Sequence, residues 1–146
     1  MKQLVYVQDK EIEKKLGIET ELVSTKVVVE GGDVIVNRKA VENKKVDILL
    51  SPEKNDKRDF MFSRNSGLNQ VLCKLAAKNN VAISFNFSDV LNCSGKERAR
   101  LLGRMRQNVR LCKKYKVKMI FSSFAKNKYE LRSSEFLKVF ERVLNR

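Results

Sequence analysis

Histidine is absent from all 146 residues. That absence excludes a Ser-His or Cys-His nucleophile pair, any histidine-containing zinc site and the usual proton shuttle near neutral pH. A metal-dependent hydrolase would have to be built from carboxylates alone. Cysteine is scarce: Cys73, Cys93 and Cys112 form no CxxC pair, and three thiols cannot all pair within one chain. Cys73 and Cys112 fall at apolar helical positions, as reduced core residues do, which points to a reducing compartment. No run approaches the roughly 20 apolar residues of a membrane span. Residues 1–7 lack a long apolar core followed by a cleavage site, so no signal peptide is expected. A cytoplasmic location without a membrane partner is the expectation.

What is abundant is positive charge. Lysine and arginine number 31 against 17 acidic residues, a net charge of +14. Such a field draws in polyanions and speeds their encounter; RNA, DNA or an anionic membrane surface would qualify, and a charge that merely aids solubility is the plainer alternative. Hydrophobic residues make up 42% of the chain, enough for one folded domain with a real core, 1–146.

The first third, 1–45, reads as strand-rich. A strand is predicted over 3–7, and a polar helix over 9–16 with Asp9 as N-cap and Gly17 as stop. A Val/Thr-rich strand is predicted over 22–30, turned at Gly31-Gly32 into a hairpin partner over 33–37. From Val46 the pattern changes. Residues 46–50 form a short apolar run suited to a buried parallel strand. A long loop, 51–66, holds the only proline, Pro52. An amphipathic helix follows over 67–79, with Leu68, Val71, Leu72, Leu75 and Ala76 on its apolar face. Strands are predicted over 81–85 and 117–121. Helices are predicted over 94–115, with a seam of Leu102, Met105, Val109 and Cys112, and over 133–144, with Phe136, Leu137, Phe140 and Leu144 inward. Alternating strands and helices argue for a parallel sheet with right-handed crossovers, whose ligands bind at the carboxyl ends of the strands. The loops 51–66, 86–95 and 122–131 lie there.

The loop 51–66 mixes Lys54, Lys57, Arg58 and Arg64 with Phe60 and Phe62. Basic residues contact phosphate, and exposed aromatics stack on unpaired bases; alternatively both rings are core and the cations solvated. In the long helix, Lys96, Arg100, Arg110 and Lys114 share a stripe opposite the apolar seam, flanked by Arg98, Arg104, Arg106 and Lys113, with only Glu97 in opposition. Such a face can track a phosphate backbone. A calmodulin-binding or membrane helix would also be basic and amphipathic, but the flanking strands argue against a free-standing helix. Arg132 precedes the last helix and would either help hold a phosphate at its N-terminus or pair with Glu130 or Glu135. Asp47, Asp56, Asp59 and Asp89 are the carboxylates nearest the presumed ligand face, with no metal-binding spacing. Asp89 reads as a turn starter and Asp59 as a partner of Arg58 or Arg64.

The blocks "VDILLSPE", "GLNQVLCKLAAKNNVAISF", "RLLGRMRQNVRLCKKYKVKMIFSSFA" and "YELRSSEFLKVF", in this order between Val46 and Leu144, resemble the archaeal ribonuclease P protein component 3 family, related to the thirty-kilodalton subunit of eukaryotes. The resemblance covers about two thirds of the chain. It implies an α/β, TIM-barrel-like fold with parallel strands and crossover helices, shortened here because a full barrel needs at least about 200 residues. It implies a non-catalytic subunit that binds ribonuclease P RNA and supports removal of the 5′ leader from precursor tRNA. It further implies protein component 2 as partner, no cofactor in the protein, and magnesium with the RNA. By position it carries over Arg64, Lys78, Lys114 and Arg132. With the loop and helix cations, the candidate RNA-binding residues are Arg58, Arg64, Lys78, Arg100, Arg110, Lys114 and Arg132. Gln70 stands where the family commonly has histidine, and Ser134 and Phe136 where it has proline and aspartate. The competing functions are a ribosome-associated basic RNA binder and a metal-dependent hydrolase of the same barrel superfamily.

Overall fold

The structure, a computed structural model, describes residues 2–146. Its six strands all pair in parallel. In chain order the elements are β1 (Gln3–Val5), α1 (Lys10–Leu16), β2 (Thr20–Leu22), β3 (Val28–Glu30), α2 (Val34–Glu42), β4 (Ile48–Leu50), α3 (Gln70–Lys78), β5 (Ala82–Asn86), α4 (Phe87–Leu91), α5 (Gly95–Tyr115), β6 (Met119–Ser122) and α6 (Ser134–Leu144). Strands β3-β4-β5-β6 form one sheet and β1-β2 a second. The two meet at a seam. The Phe124 N–H donates to the Leu4 carbonyl at 3.0 Å and the Tyr6 N–H to the Ala125 carbonyl at 2.8 Å. The Leu4 N–H donates to the Ser122 hydroxyl at 2.8 Å. The strands thus run in the order β2, β1, β6, β5, β4, β3. Among the described residues β2 and β3 do not pair, so the barrel stays open on that side.

Strand alternation sorts the core into two layers. Leu49, Ile83, Phe85 and Phe121 face outward onto the helices, where they meet Val41, Leu72, Met105, Val109 and Phe140. Ile48, Leu50 and Ala82 face inward and pack with Leu4, Val23 and Phe124. The inner layer draws on β1 and on the turn after β2, so those segments wrap over the concave face. This is a shortened TIM-barrel-like α/β fold, as expected.

The helices of the second half fall where the apolar spacing places them. Cys73 and Cys112 are fully buried on facing helices α3 and α5. Two details differ: Val71 is exposed, and Phe136 is partly exposed, set edge-on against Phe87. The 86–95 segment, expected as a loop, contains the short helix α4.

The hairpin over 22–37 does not exist. Residues 22–30 break into β2, a 3₁₀ turn over Val23–Thr25 and β3, and Val34 begins helix α2. The Asp33 carboxylate caps that helix through the Ile35 N–H at 2.8 Å. The run Val34-Ile35-Val36 has strand propensity, but all three side chains are exposed. Burial of Asn37, Ala40 and Val41 on the following turns decides for helix, a tertiary override of local preference. The glycines serve close approach instead of a hairpin. The Gly32 N–H donates to Asn37 Oδ1 at 3.0 Å, and a Cβ on Gly32 would lie 2.1 Å from the Lys54 carbonyl oxygen.

Candidate nucleic-acid interface

The loop between β4 and α3 is built around two buried polar side chains. Asn37 Nδ2 donates to the Pro52 carbonyl at 3.1 Å and the Gly67 carbonyl at 3.0 Å, closing the loop at its base. Arg104 enters from α5 with only 2% of its surface exposed. Its Nε donates to Asp59 Oδ1 at 2.8 Å, Nη1 to the carbonyls of Asn55 at 2.8 Å and Glu53 at 3.3 Å, and Nη2 to the carbonyl of Lys57 at 2.5 Å. The sequence placed Arg104 beside the basic stripe; the structure makes it the internal brace of the loop. A guanidinium suits this because its fixed fork presents several N–H donors at once. Asp59 also pairs with Arg64 at 3.4 Å and accepts the Asn65 N–H at 2.9 Å. Burial alone would raise its carboxyl, but the Asn65 N–H, Arg104 and Arg64 outweigh that and hold it below the usual carboxylate range.

The same loop lies along the outer face of α5. At about 100° per residue, Lys96, Arg100, Gly103, Gln107, Arg110 and Lys114 fall within roughly one 80° sector. The two uncharged positions in that sector are the ones the loop covers. Gln107 grips the backbone of Arg64, accepting its N–H at 3.0 Å and donating to its carbonyl at 2.9 Å. The Arg64 guanidinium rests over Gly103, where an added Cβ would lie 2.4 Å from Arg64 Cζ. Arg64 therefore supplies the charge that α5 lacks in mid-stripe, and the cationic row continues from Arg100 through Arg64 to Arg110 and Lys114. Among the described residues, Lys96, Arg100, Arg110 and Lys114 make no ion pair. Lys78 is exposed in the last turn of α3, the helix packed beside α5.

Two candidates lie elsewhere. Arg58 is exposed on the loop's outer shoulder, its carbonyl accepting from Asn65 at 3.3 Å. Arg132 Nη1 donates to the carbonyls of Tyr129 at 2.8 Å and Leu131 at 2.7 Å. Its guanidinium carbon stands 5.5 Å and 5.9 Å from the rings of Phe87 and Phe136. Neither acidic partner proposed from sequence is the one it meets; Glu130 instead accepts from Ser88, Asn92 and the Lys126 N–H.

Between the loop, α4 and α5 a polar cleft of about 540 Å³ opens at the carboxyl ends of β4 and β5. Lys54, Arg100 and Lys126 line it together with Asp89 and Glu53. Asp89, in the first turn of α4, is matched by the Ser51 hydroxyl at 2.6 Å and Lys54 Nζ at 3.0 Å. Glu53 is fully buried, with Oε2 accepting from Asn108 at 3.2 Å and Oε1 without a partner. Burial is the main cause that pushes its carboxyl up to about 8, and Asp89 adds to it. Asp47, grouped with this face from sequence, sits instead at the opposite end of the sheet, where Oδ2 accepts the Val27 N–H at 2.8 Å ahead of β4. Among the described residues no three potential metal ligands converge.

Sequence reasoning missed Gly103, Gln107, Asn108 and Glu53. One signal was available: a glycine inside a helix costs about 1 kcal/mol relative to alanine, and so asks for a reason.

Comparison with known proteins agrees with this architecture. A chain in the cryo-EM structure of archaeal ribonuclease P with mature tRNA superposes with a TM-score of 0.71 at 29% identity, over 97% of this chain and 71% of that one. Ribonuclease P protein component 3 of Methanocaldococcus jannaschii is 41% identical over 118 residues, covering 81% of this chain and 48% of its own length. The Methanosarcina barkeri protein of the same name is 45% identical over 107 residues, covering 73% and 41% respectively. The chain thus spans a little under half the length of these curated relatives. The family described as RNase P subunit p30 matches residues 20–144, and across that match the chain belongs to the RNase P subunit p30 family.

Proposed function

We propose that this chain acts as a protein subunit of ribonuclease P, holding the catalytic RNA against the cationic outer face of α5 and supporting removal of the 5′ leader from precursor tRNA. The observation that carries this reading is the cationic row of α5, where Lys96, Arg100, Arg110 and Lys114 make no ion pair among the described residues and Arg64, itself paired with Asp59, completes the row across Gly103. A protein that only needed solubility would gain nothing from positioning a loop arginine over a helix glycine. Free cations aligned along one helix displace counterions from a polyphosphate backbone and so bind it in a salt-dependent manner. In this reading the RNA carries the chemistry and the magnesium it uses, precursor tRNA is met through the RNA, and protein component 2 is the expected protein partner.

Recovery of the protein from its native cells, with sequencing of the RNA that accompanies it, tests the assignment. Enrichment of ribonuclease P RNA supports it; enrichment of ribosomal RNA overturns it. The residues are tested by salt titration. Arg64→Ala, Arg110→Ala and Lys114→Ala should each lower the slope of log affinity against log salt by about one unit, and unchanged slopes in folded variants would remove these residues from the interface. Arg132→Ala should change the slope less, since Nη1 serves the turn before α6.

Gly103→Ala separates the roles of helix and loop. The helix should gain up to about 1 kcal/mol of propensity, and the clash is with the movable end of Arg64. Urea denaturation should show stability kept or raised while RNA affinity falls. Loss of stability without loss of affinity would contradict the role assigned to Arg64.

A further inference from the structure

The tip of the β4–α3 loop carries three large apolar side chains in succession. Phe60, Met61 and Phe62 are 63%, 89% and 95% exposed. They are not core, which was one of the two readings open from sequence. Nor is their exposure that of a slack loop, because both shoulders of the tip are fixed. Asp59 and Asn65 are joined by the 2.9 Å bond from the Asn65 N–H, and Asn65 Nδ2 reaches the Arg58 carbonyl. Asp59 is anchored below by buried Arg104, and Arg64 is gripped by Gln107 through both its N–H and its carbonyl. Rigid presentation of adjacent apolar side chains to water marks a surface made for a partner.

The charges around the tip select the kind of partner. Arg58 stands on one shoulder and Arg64 on the other; Lys57 pairs with Asp33 at 3.9 Å, and Asp59 at the neck is matched by Arg104 and Arg64. Arg64 also belongs to the cationic row of α5. An occupant must therefore offer flat apolar surface and negative charge a few ångströms apart. Unpaired RNA does so: each base has a π-face, and each backbone step has a phosphate. We propose that Phe60 and Phe62 stack on unpaired bases of the bound RNA, with Met61 filling in beside them, while Arg58 and Arg64 hold the adjoining phosphates. This deepens the RNA-binding function and rests on it: the row on α5 tracks the backbone, and the tip engages a single-stranded loop or bulge beside it.

The chain has no tryptophan, so Phe62→Trp introduces one indole whose emission reports directly on the tip. With in vitro transcribed ribonuclease P RNA, that emission should be quenched on binding. A short single-stranded oligoribonucleotide should quench it too, and a blunt RNA duplex of equal charge should not. Phe60→Ala/Phe62→Ala should weaken binding of ribonuclease P RNA by at least about tenfold with the salt slope unchanged, since no phosphate contact is removed. Phe60→Leu/Phe62→Leu, which keeps apolar bulk without a π-face, should not restore affinity. These side chains are exposed, so the variants keep the fold. Full affinity in the alanine or leucine variants overturns the stacking proposal. So does an indole signal that ignores RNA and changes only when protein component 2 is added, which would make the tip a protein-docking element. Wild-type protein that binds a ribosomal RNA fragment as tightly as ribonuclease P RNA, with the tip variants still weakened, would instead remove the ribonuclease P assignment and leave the stacking tip standing.

Discussion

Arg104→Ala should lower the stability of the folded protein by about 3–5 kcal/mol, the range found when one partner of a buried ion pair is removed. The effect is large because the guanidinium does several things at once. Its removal strands the carbonyls of Asn55 and Lys57, takes one donor from the Glu53 carbonyl, and leaves Asp59 with the Asn65 N–H and its more exposed partner Arg64. Buried acceptors without donors cost more than the bonds themselves are worth. Arg104→Lys keeps the charge but not the fork, and should recover only part of the loss. Urea denaturation gives the energies, and hydrogen exchange should show the 51–66 amides losing protection ahead of the rest. RNA affinity should fall as well, because Arg64, Phe60 and Phe62 are held in place by the same brace. A variant as stable as wild type, with the loop still protected, would mean that the loop is supported by its Asn37 and Gln107 contacts alone.

Glu53→Gln should change the shape of the stability–pH profile. Glu53 is buried with Oε1 unpartnered, and its carboxyl is pushed up to about 8 from an ordinary 4.5. Between those values the folded protein holds a proton that the unfolded chain has released. Its contribution is therefore fully present below about pH 4.5, declines as pH rises, and is gone once pH passes through about 8. The slope is about 1.4 kcal/mol per pH unit, so the total decline approaches about 5 kcal/mol. Asp59 and Glu130 act in the opposite sense. Both are held below their usual values despite burial, so what they contribute is lost as pH falls through their lowered values. Wild-type stability should thus peak near about pH 5. The glutamine side chain mimics the protonated form and does not titrate. The variant should match wild type near pH 5 and exceed it by several kcal/mol near pH 9, as denaturation at pH 5, 7 and 9 will show. Parallel curves for the two proteins would mean that Glu53 is ionised, with compensation from Arg104 stronger than its geometry suggests.

The parts of the fold that could be read from the chain are those where local pattern and tertiary packing ask for the same thing. The seam Leu102, Met105, Val109 and Cys112 predicted α5 and its inward face; the last three are buried there and Leu102 packs partly buried against the core. The short apolar run ending at Leu50 predicted a buried parallel strand, and β4 is paired on both sides. Asp9 and Gly17 marked the ends of α1, and each does its expected work, the aspartate accepting two N–H groups and the glycine adopting a left-handed conformation. Where local pattern and packing disagree, the sequence misleads. Val34-Ile35-Val36 favours a strand by composition, yet the chain is helical there because Ala40 and Val41 complete the outer core.

Composition alone determined that the protein is strongly cationic and has no histidine chemistry, and the order of apolar blocks determined a parallel α/β fold with a basic helix on its surface. Only the tertiary structure decided which cations stay at the surface. Arg104 and Arg64 look alike in the chain, but one is buried as a brace and the other is laid across Gly103 to complete the row. Likewise, only the pinned shoulders at Asp59 and Arg64 turn Phe60 and Phe62 outward. The reason is physical. Charge and hydrophobicity belong to a residue wherever it sits, whereas exposure and pairing also depend on contacts such as those of Arg104 and Gln107 with a loop more than forty positions away, which no local pattern records.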